Sequence, residues 1–257
     1  MSSLTQVFVD ISCRARSRRD AIFRTYFPWI GPDTRILDLG SEDGANLARV
    51  LARFRVTPAN VHIADVSARA VQCGSDKFGY TPVVLSESGR LPFPDSYFDL
   101  VYCSSVIEHV TIPKCELWSV TNAGAFRTRA AARQRAFADE IRRVAQAYFV
   151  QTPNRAFPIE SHTWLPLVGY LSRPLLLPIL RVTNRIWIKR TAPDWNLLGR
   201  DDMAELFPDA ELVPEPVLRL TKSWMAIRTR ASRIVPAPAP ERKLTLQTAA
   251  PIAGSSA

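Results

Sequence analysis

The sequence predicts an α/β fold: an open, mostly parallel sheet with helices on both faces and an antiparallel hairpin at its end. Three observations lead there. Arg35–Leu47, RILDLGSEDGANL, passes from a short apolar run through a glycine-bracketed turn into a segment with helical spacing. Further short apolar runs follow, separated by stretches long enough for crossover helices. The last two extended runs, 211–217 and 223–228, have too little chain between them for a helix, so they pair antiparallel.

At 257 residues the chain can bury the core of one domain. Its formal charge of +9 suits nucleic acid, an anionic membrane surface or solubility alone, and the placement of the charge decides among them. Cys13, Cys73, Cys103 and Cys115 form no CxxC pair and show no metal-ligand spacing. A reducing compartment is expected, with neither disulfide framework nor metal. The amino terminus lacks the charged start and sustained apolar run of a secretory signal, which predicts a cytoplasmic protein.

Residues 1–34 carry a basic cluster, Arg14, Arg16, Arg18, Arg19 and Arg24, with Phe23, Tyr26, Phe27 and Trp29. Such a basic amphipathic segment either packs its aromatics over the sheet and solvates its arginines, or lies on anionic lipid. It is also placed to close over a ligand. Ile36–Leu39 is the first buried strand, stopped at Gly40. Gly40 and Gly44 bracket a tight turn, and Leu47, Val50, Leu51 and Phe54 give the next helix an apolar face. In an open α/β sheet this first crossover receives ligands at the carboxyl end of the strand, where helix N–H groups lack partners. Val61–Asp65 is the second strand, a helix runs to Lys77, and Val83–Leu85 is the third strand. Asp65 stands about 20 residues beyond the turn, placed to take both ribose hydroxyls of a nucleoside. A helix-capping role for Asp65 or Ser67 is compatible with that.

Leu91-Pro92-Phe93-Pro94 and a turn at Asp95-Ser96 lead into a fourth strand, Tyr97–Cys103. Just past it, Glu108 and His109 share the rim of the glycine turn, where His109 either reaches a substrate or is structural. Residues 126–146 predict a long helix with arginines at 127, 129, 133, 135, 142 and 143 and apolar Phe137, Ile141 and Val144. No aromatic residues interleave that basic face, so no nucleic acid partner is expected. Ala147–Thr152 is the fifth strand. Between 155 and 192 the rhythm breaks. An apolar run from Trp164 to Ile188 is cut by Arg173, Pro174, Pro178 and Arg181 too often for a spanning helix. It predicts short helices that form a lid over an apolar pocket or touch a membrane surface, headed by Glu160 and His162. A last helix over 198–207 precedes the hairpin, and from Ala231 the composition predicts a disordered tail over 231–257.

Together these residues resemble class I S-adenosylmethionine-dependent methyltransferases, in particular the type 11 small-molecule group, over residues 34–228. LDLGSEDG resembles that family's first motif, Asp65 its acidic second motif, and residues 91–99 its link between the third and fourth strands. Val106-Ile107-Glu108-His109-Val110 looks like its segment after the fourth strand. Thr152-Pro153-Asn154-Arg155 and the run Phe157–His162 look like a subgroup's exit from the fifth. The resemblance implies a Rossmann-like, seven-stranded sheet, a methyltransferase domain over 35–230 with the lid at 155–192, and S-adenosyl-L-methionine as cofactor. It implies that Asp38, Gly40, Ser41 and Gly44 hold the methionine portion, Asp65 with Val66 the ribose, Glu87 and Ser88 the adenine, and that Ser104 lines the sulfonium end. The family commonly has glycine where this chain has Glu42, which either points to solvent or sets a carboxylate near the ligand's amino acid end.

Methyl transfer from a sulfonium is an in-line displacement that needs an aligned nucleophile and exclusion of water. A hydroxyl or phenol acceptor also needs a base. His109 or His162 with a near-neutral pKa is the candidate, with Glu160 placed to orient His162. The expected function is methylation of a small molecule with an apolar part beneath the lid. The rival expectation is a non-catalytic protein of the same fold that binds a partner or an anionic membrane. A dehydrogenase is disfavoured by the Gly-x-x-x-Gly spacing of Gly40 and Gly44 and the lack of a Tyr-x-x-x-Lys pair.

Overall fold

The computed structural model describes residues 16–40, 42–86, 89–187 and 189–230. Cys13, Arg14, Ser41, Glu87, Ser88 and the 231–257 tail lie outside the described residues. Seven strands form one sheet in the order β3-β2-β1-β4-β5-β7-β6. Strands β1 (Ile36–Leu39), β2 (Val61–Asp65), β3 (Thr81–Val84), β4 (Leu100–Ser104) and β5 (Tyr148–Pro153) run parallel. Strands β6 (Glu211–Val217) and β7 (Leu220–Arg228) close the sheet as an antiparallel hairpin on β5. The strand order reverses between β1 and β4, so their carboxyl ends open the crevice where such sheets take ligands. Proline sits on both edges, Pro82 in β3 and Pro214 and Pro216 in β6, where a missing N–H breaks no ladder and discourages further pairing.

Two helical layers cover the sheet. On one face α1 (residues 16–26), α2 (Ala45–Leu51) and α3 (Ala68–Phe78) bury Phe23, Leu47, Val50 and Val71 against Ile36, Tyr102 and Phe149. On the other, α4 (Ala123–Val144) and α6 (Arg200–Leu206) bury Ala138, Ile141, Met203 and Leu206 against Leu37, Val101 and Val150. Asn122 caps α4 by accepting from the Ala125 N–H at 2.9 Å.

Three elements differ from expectation. Strand β4 starts at Leu100, because Phe98 turns into an aromatic cluster with Phe93, Tyr97 and His62 and makes only an isolated bridge to Ala145. Among the described residues the lid contains one α-helix of fourteen residues, α5 (Arg173–Ile186), preceded by a single 3-10 turn at Val168–Tyr170. Pro174 lies in its first turn, and Pro178 gives up one bond near that end, so the helix persists. Finally, the lid packs its apolar side onto the segment that follows it: Val168, Leu176 and Leu180 meet Trp195 and Leu197. The space left beside Phe126, Arg173 and Trp195 is about 80 Å³, well short of the substrate-sized apolar pocket expected there. No described helix is long and apolar enough to cross a membrane.

Candidate active site

Gly40 and Gly44 both adopt left-handed backbone, at φ +76° and +72°. A Cβ on Gly40 would lie 2.3 Å from Val106 Cγ1, so the turn presses against the chain leaving β4. A further glycine seats it from below. A Cβ on Gly74 of α3 would lie 2.3 Å from the Asp43 carbonyl oxygen. That contact carries no turn signature in the sequence.

Glu42 is exposed at φ +58°, and its N–H donates to Asp65 Oδ2 at 3.2 Å. Asp65 Oδ1 accepts the Ser67 N–H at 2.9 Å, while Ser67 itself caps α3 by accepting from Ala70 at 3.3 Å. A carboxylate has about four acceptor sites, so Asp65 at the tip of β2 keeps capacity for a ligand beside its local role. Val66, next to it, is exposed on the rim. Asp38 is buried in β1 beside Tyr80 and Tyr102. Burial first, and the Asp38 charge second, push the Tyr102 hydroxyl up to about 12.

At the end of β4, the Ser104 hydroxyl donates to Gln151 Oε1 at 2.7 Å. Arg19 of α1 donates to the same Gln151 oxygen, reaches Ser104 Oγ at 3.4 Å, and lies 3.4 Å from the buried Glu215 carboxylate of β6. The first helix is thus fastened over the carboxyl ends of β4 and β5 by its arginine, not only by its aromatics.

A second group of side chains stands where β4 and β5 hand over to their loops. His162 Nδ1 lies 2.5 Å from Glu160 Oε1, and its ring stacks on Trp195 with centroids 5.3 Å apart. His109 meets His162 edge-on at 4.6 Å. Its Nδ1 faces Asp194 Oδ1 across 3.0 Å without a hydrogen bond between them. Glu108 is fully buried; its Oε2 accepts from Thr152 Oγ1 at 2.9 Å. Burial works against a charge on His162, but Glu108 and Glu160 outweigh it and push the pKa up to about 9. Burial would raise the Glu160 carboxyl, yet its bonds from His162 and Thr163 bring it below the usual carboxylate value. An imidazole with this pKa holds its proton at neutral pH. The structure brings His109, His162 and Glu160 together. It adds Glu108, Asp194 and Trp195, of which only Glu108 carried a signal, in its pairing with His109.

A protein-family model described as "Methyltransferase domain" matches residues 37–147. The ubiquinone/menaquinone biosynthesis C-methyltransferase UbiE of Cupriavidus metallidurans is 30% identical over 115 residues, 43% of this chain and 47% of that protein. The UbiE of Stutzerimonas stutzeri is 34% identical over 83 residues, 30% of this chain and 32% of that protein. The chain thus spans about half the length of the first relative and about a third of the second. A solved structure from Rhodobacter sphaeroides, named among the Zn-dependent alcohol dehydrogenases, has a TM-score of 0.52 at 12% identity. It covers 83% of this chain and 89% of that one, a likeness of fold alone. The matched residues 37–147 contain the glycine turn, Asp65, the 91–99 link and the Glu108–His109 pair. Over those residues the chain is similar to methyltransferase domains, and the strand order and closing hairpin agree with the fold that the resemblance implies.

Proposed function

We propose that the protein transfers a methyl group from S-adenosylmethionine to a small molecule with an apolar part. One observation carries the reading: the Gly40–Gly44 turn and the Asp65 carboxylate meet at the strand-order reversal, tied together by the Glu42 N–H. Asp38, Gly40, Ser41 and Gly44 hold the methionine portion, Asp65 and Val66 the ribose, Glu87 and Ser88 the adenine, and Ser104 lines the sulfonium end. Helix α2 has only seven residues, so the backbone of the turn does the holding rather than a long helix dipole. When bound, the cofactor supplies an electrophilic methyl group. The chain's own part is to align the acceptor and exclude water.

His109, His162 and Glu160 form the acceptor end of the site. His162, fixed between Glu160 and Trp195, and His109 beside it present oriented polar edges to an acceptor. Calorimetric titration with S-adenosylmethionine tests the reading. Micromolar binding is expected, weakened roughly 10- to 100-fold by Asp65→Ala, the size of a lost charged hydrogen bond. Binding that is absent at millimolar cofactor would favour the non-catalytic alternative.

The outer face of α5 supports a peripheral contact with an anionic membrane surface. Leu175, Ile179, Val182 and Ile186 form an exposed apolar stripe at helical spacing. No Asp or Glu occurs from 161 to 193, a stretch that carries Arg181, Arg185, Lys189 and Arg190 besides the buried Arg173. An apolar stripe flanked by basic residues suits a helix lying in the headgroup plane. A partly apolar acceptor would then be met at the surface that dissolves it.

A further inference from the structure

Glu108, His109 and His162 bring one carboxylate oxygen and one ring nitrogen from each histidine within 4.8 Å of one another. We propose that these three side chains bind a divalent transition-metal ion at the acceptor end of the site.

Three features argue for an ion rather than a purely structural cluster. Glu108 is fully buried and Thr152 satisfies its Oε2, but among the described residues its Oε1 has no hydrogen-bond partner. A buried carboxylate oxygen left without a partner is costly. His162 Nε2 lies 3.8 Å from that oxygen, too far for a hydrogen bond. It is close to the spacing of about 3 to 3.5 Å that two ligands at metal bonds of about 2.1 Å require.

Each histidine also has a carboxylate facing its Nδ1: Glu160 Oε1, hydrogen-bonded, at 2.5 Å from His162, and Asp194 Oδ1 at 3.0 Å from His109 without a hydrogen bond. Metal-binding imidazoles are held as His162 is, with the second nitrogen fixed by a carboxylate that sets tautomer and ring angle. Further contacts hold the frame. The Trp195 ring stacks on His162, the Asn196 N–H donates to the Glu108 carbonyl at 2.8 Å, and the buried Gln134 amide donates to the Ile107 carbonyl at 3.0 Å.

The charges point the same way. Glu108, Glu160 and Asp194 set three carboxylates around two imidazoles, and Lys189, bonded to the Ser161 carbonyl, is a cation near Glu160. A dication there would take the place of the proton on His162 rather than add to it. Two nitrogens and one oxygen suit Zn²⁺, Fe²⁺ or Co²⁺ better than Mg²⁺ or Ca²⁺, and three protein ligands leave positions open. The His109 side chain, 33% exposed, lies on the accessible side, where the oxygen of an acceptor could take such a position.

The ion site rests on side-chain geometry and needs no methyl donor, so its test is separable from the methyltransferase reading. The full chain is stripped with EDTA and titrated with Co²⁺, followed by visible absorption and calorimetry. One equivalent with micromolar affinity is expected, with visible d–d bands that Zn²⁺ displaces. Asp194→Asn should weaken binding about 10- to 100-fold, as loss of a carboxylate behind a ligand does. Glu108→Gln and His162→Ala should weaken it further, and His62→Asn, remote from the cluster, should leave it intact. Absence of bands and heat at millimolar Co²⁺ overturns the proposal, as does binding that survives both Glu108→Gln and His162→Ala. Should His162→Ala fail to fold by circular dichroism, the isosteric Glu108→Gln decides. Titration of the same samples with S-adenosylmethionine reports on the methyl donor independently.

Discussion

Glu42 holds at φ +58° a backbone shape that glycine takes freely, and it turns its carboxylate to solvent while its N–H supports Asp65. The left-handed shape costs a side-chain-bearing residue about 1–2 kcal/mol. Glu42→Gly should therefore raise unfolding stability by roughly 0.5–1 kcal/mol in urea denaturation, after the greater freedom of glycine in the unfolded chain is subtracted. It should leave cofactor affinity equal or tighter, and a drop in stability would show that the carboxylate has a partner the present geometry lacks. Asp65→Ala has two readouts, because Asp65 also accepts the Glu42 and Ser67 N–H groups. Alongside weaker cofactor binding it should lose about 1–2 kcal/mol of stability. At this scale the sequence located Glu42, Asp65, His109 and His162. It could not say which way Glu42 points or that His162 carries a proton, since both depend on neighbours from other segments.

The link from Leu91 to Asp99 shows what an element needs beyond its own residues. Arg143 of α4 donates to the Leu91 and Phe93 carbonyls at 3.1 and 2.8 Å and pairs with Asp95 at 2.9 Å. Glu140 accepts the Leu91 N–H at 2.8 Å and pairs with Arg143 at 2.7 Å. Arg143→Ala should lower stability by about 1.5–3 kcal/mol, the range for hydrogen bonds to a charged group, as read by chemical denaturation. The bond from Arg143 is the main reason the Glu140 carboxyl is held below its usual pKa. A carboxylate with a depressed folded pKa contributes stability that is complete above its unfolded pKa and is lost as pH falls through the folded one. Acid should thus lower Tm more steeply in the wild type than in Arg143→Ala, over the ordinary carboxylate range and below. In α5 the exposed stripe is the feature to test. Changing Leu175, Ile179, Val182 and Ile186 together to Ser should abolish co-sedimentation with phosphatidylserine vesicles, with an unchanged circular dichroism spectrum. Neutral vesicles should bind the wild type weakly, because the flanking cations then lack their attraction. Periodicity made α4 legible, but not its clamp on the link, and proline made α5 look broken where its first turns absorb the loss.

Across the whole molecule, α1 is part of the core rather than an appendage. Phe23 is buried edge-on to Tyr102 and Phe149, with centroids 5.6 and 5.5 Å away, and Arg19 joins α1 to β4, β5 and β6. Phe23→Ala should cost about 3–5 kcal/mol in guanidinium unfolding, the range for a large aromatic removed from a packed interior. A change below about 1 kcal/mol would mean that α1 is only loosely docked. The sequence by itself determined the succession of strands, the glycine turn, the acid at the tip of β2 and the closing hairpin, because apolar periodicity and turn chemistry are local properties of the chain. Only the tertiary structure decided that Asp194 faces His109, that Glu108 Oε1 faces His162, and that Arg19 reaches Ser104 and Gln151. It also decided that the lid packs on Trp195 and Leu197, with a space of about 80 Å³ beside Phe126 and Arg173. Those pairings join segments far apart in sequence, and their energies exist only once the sheet order has set which loops share a rim.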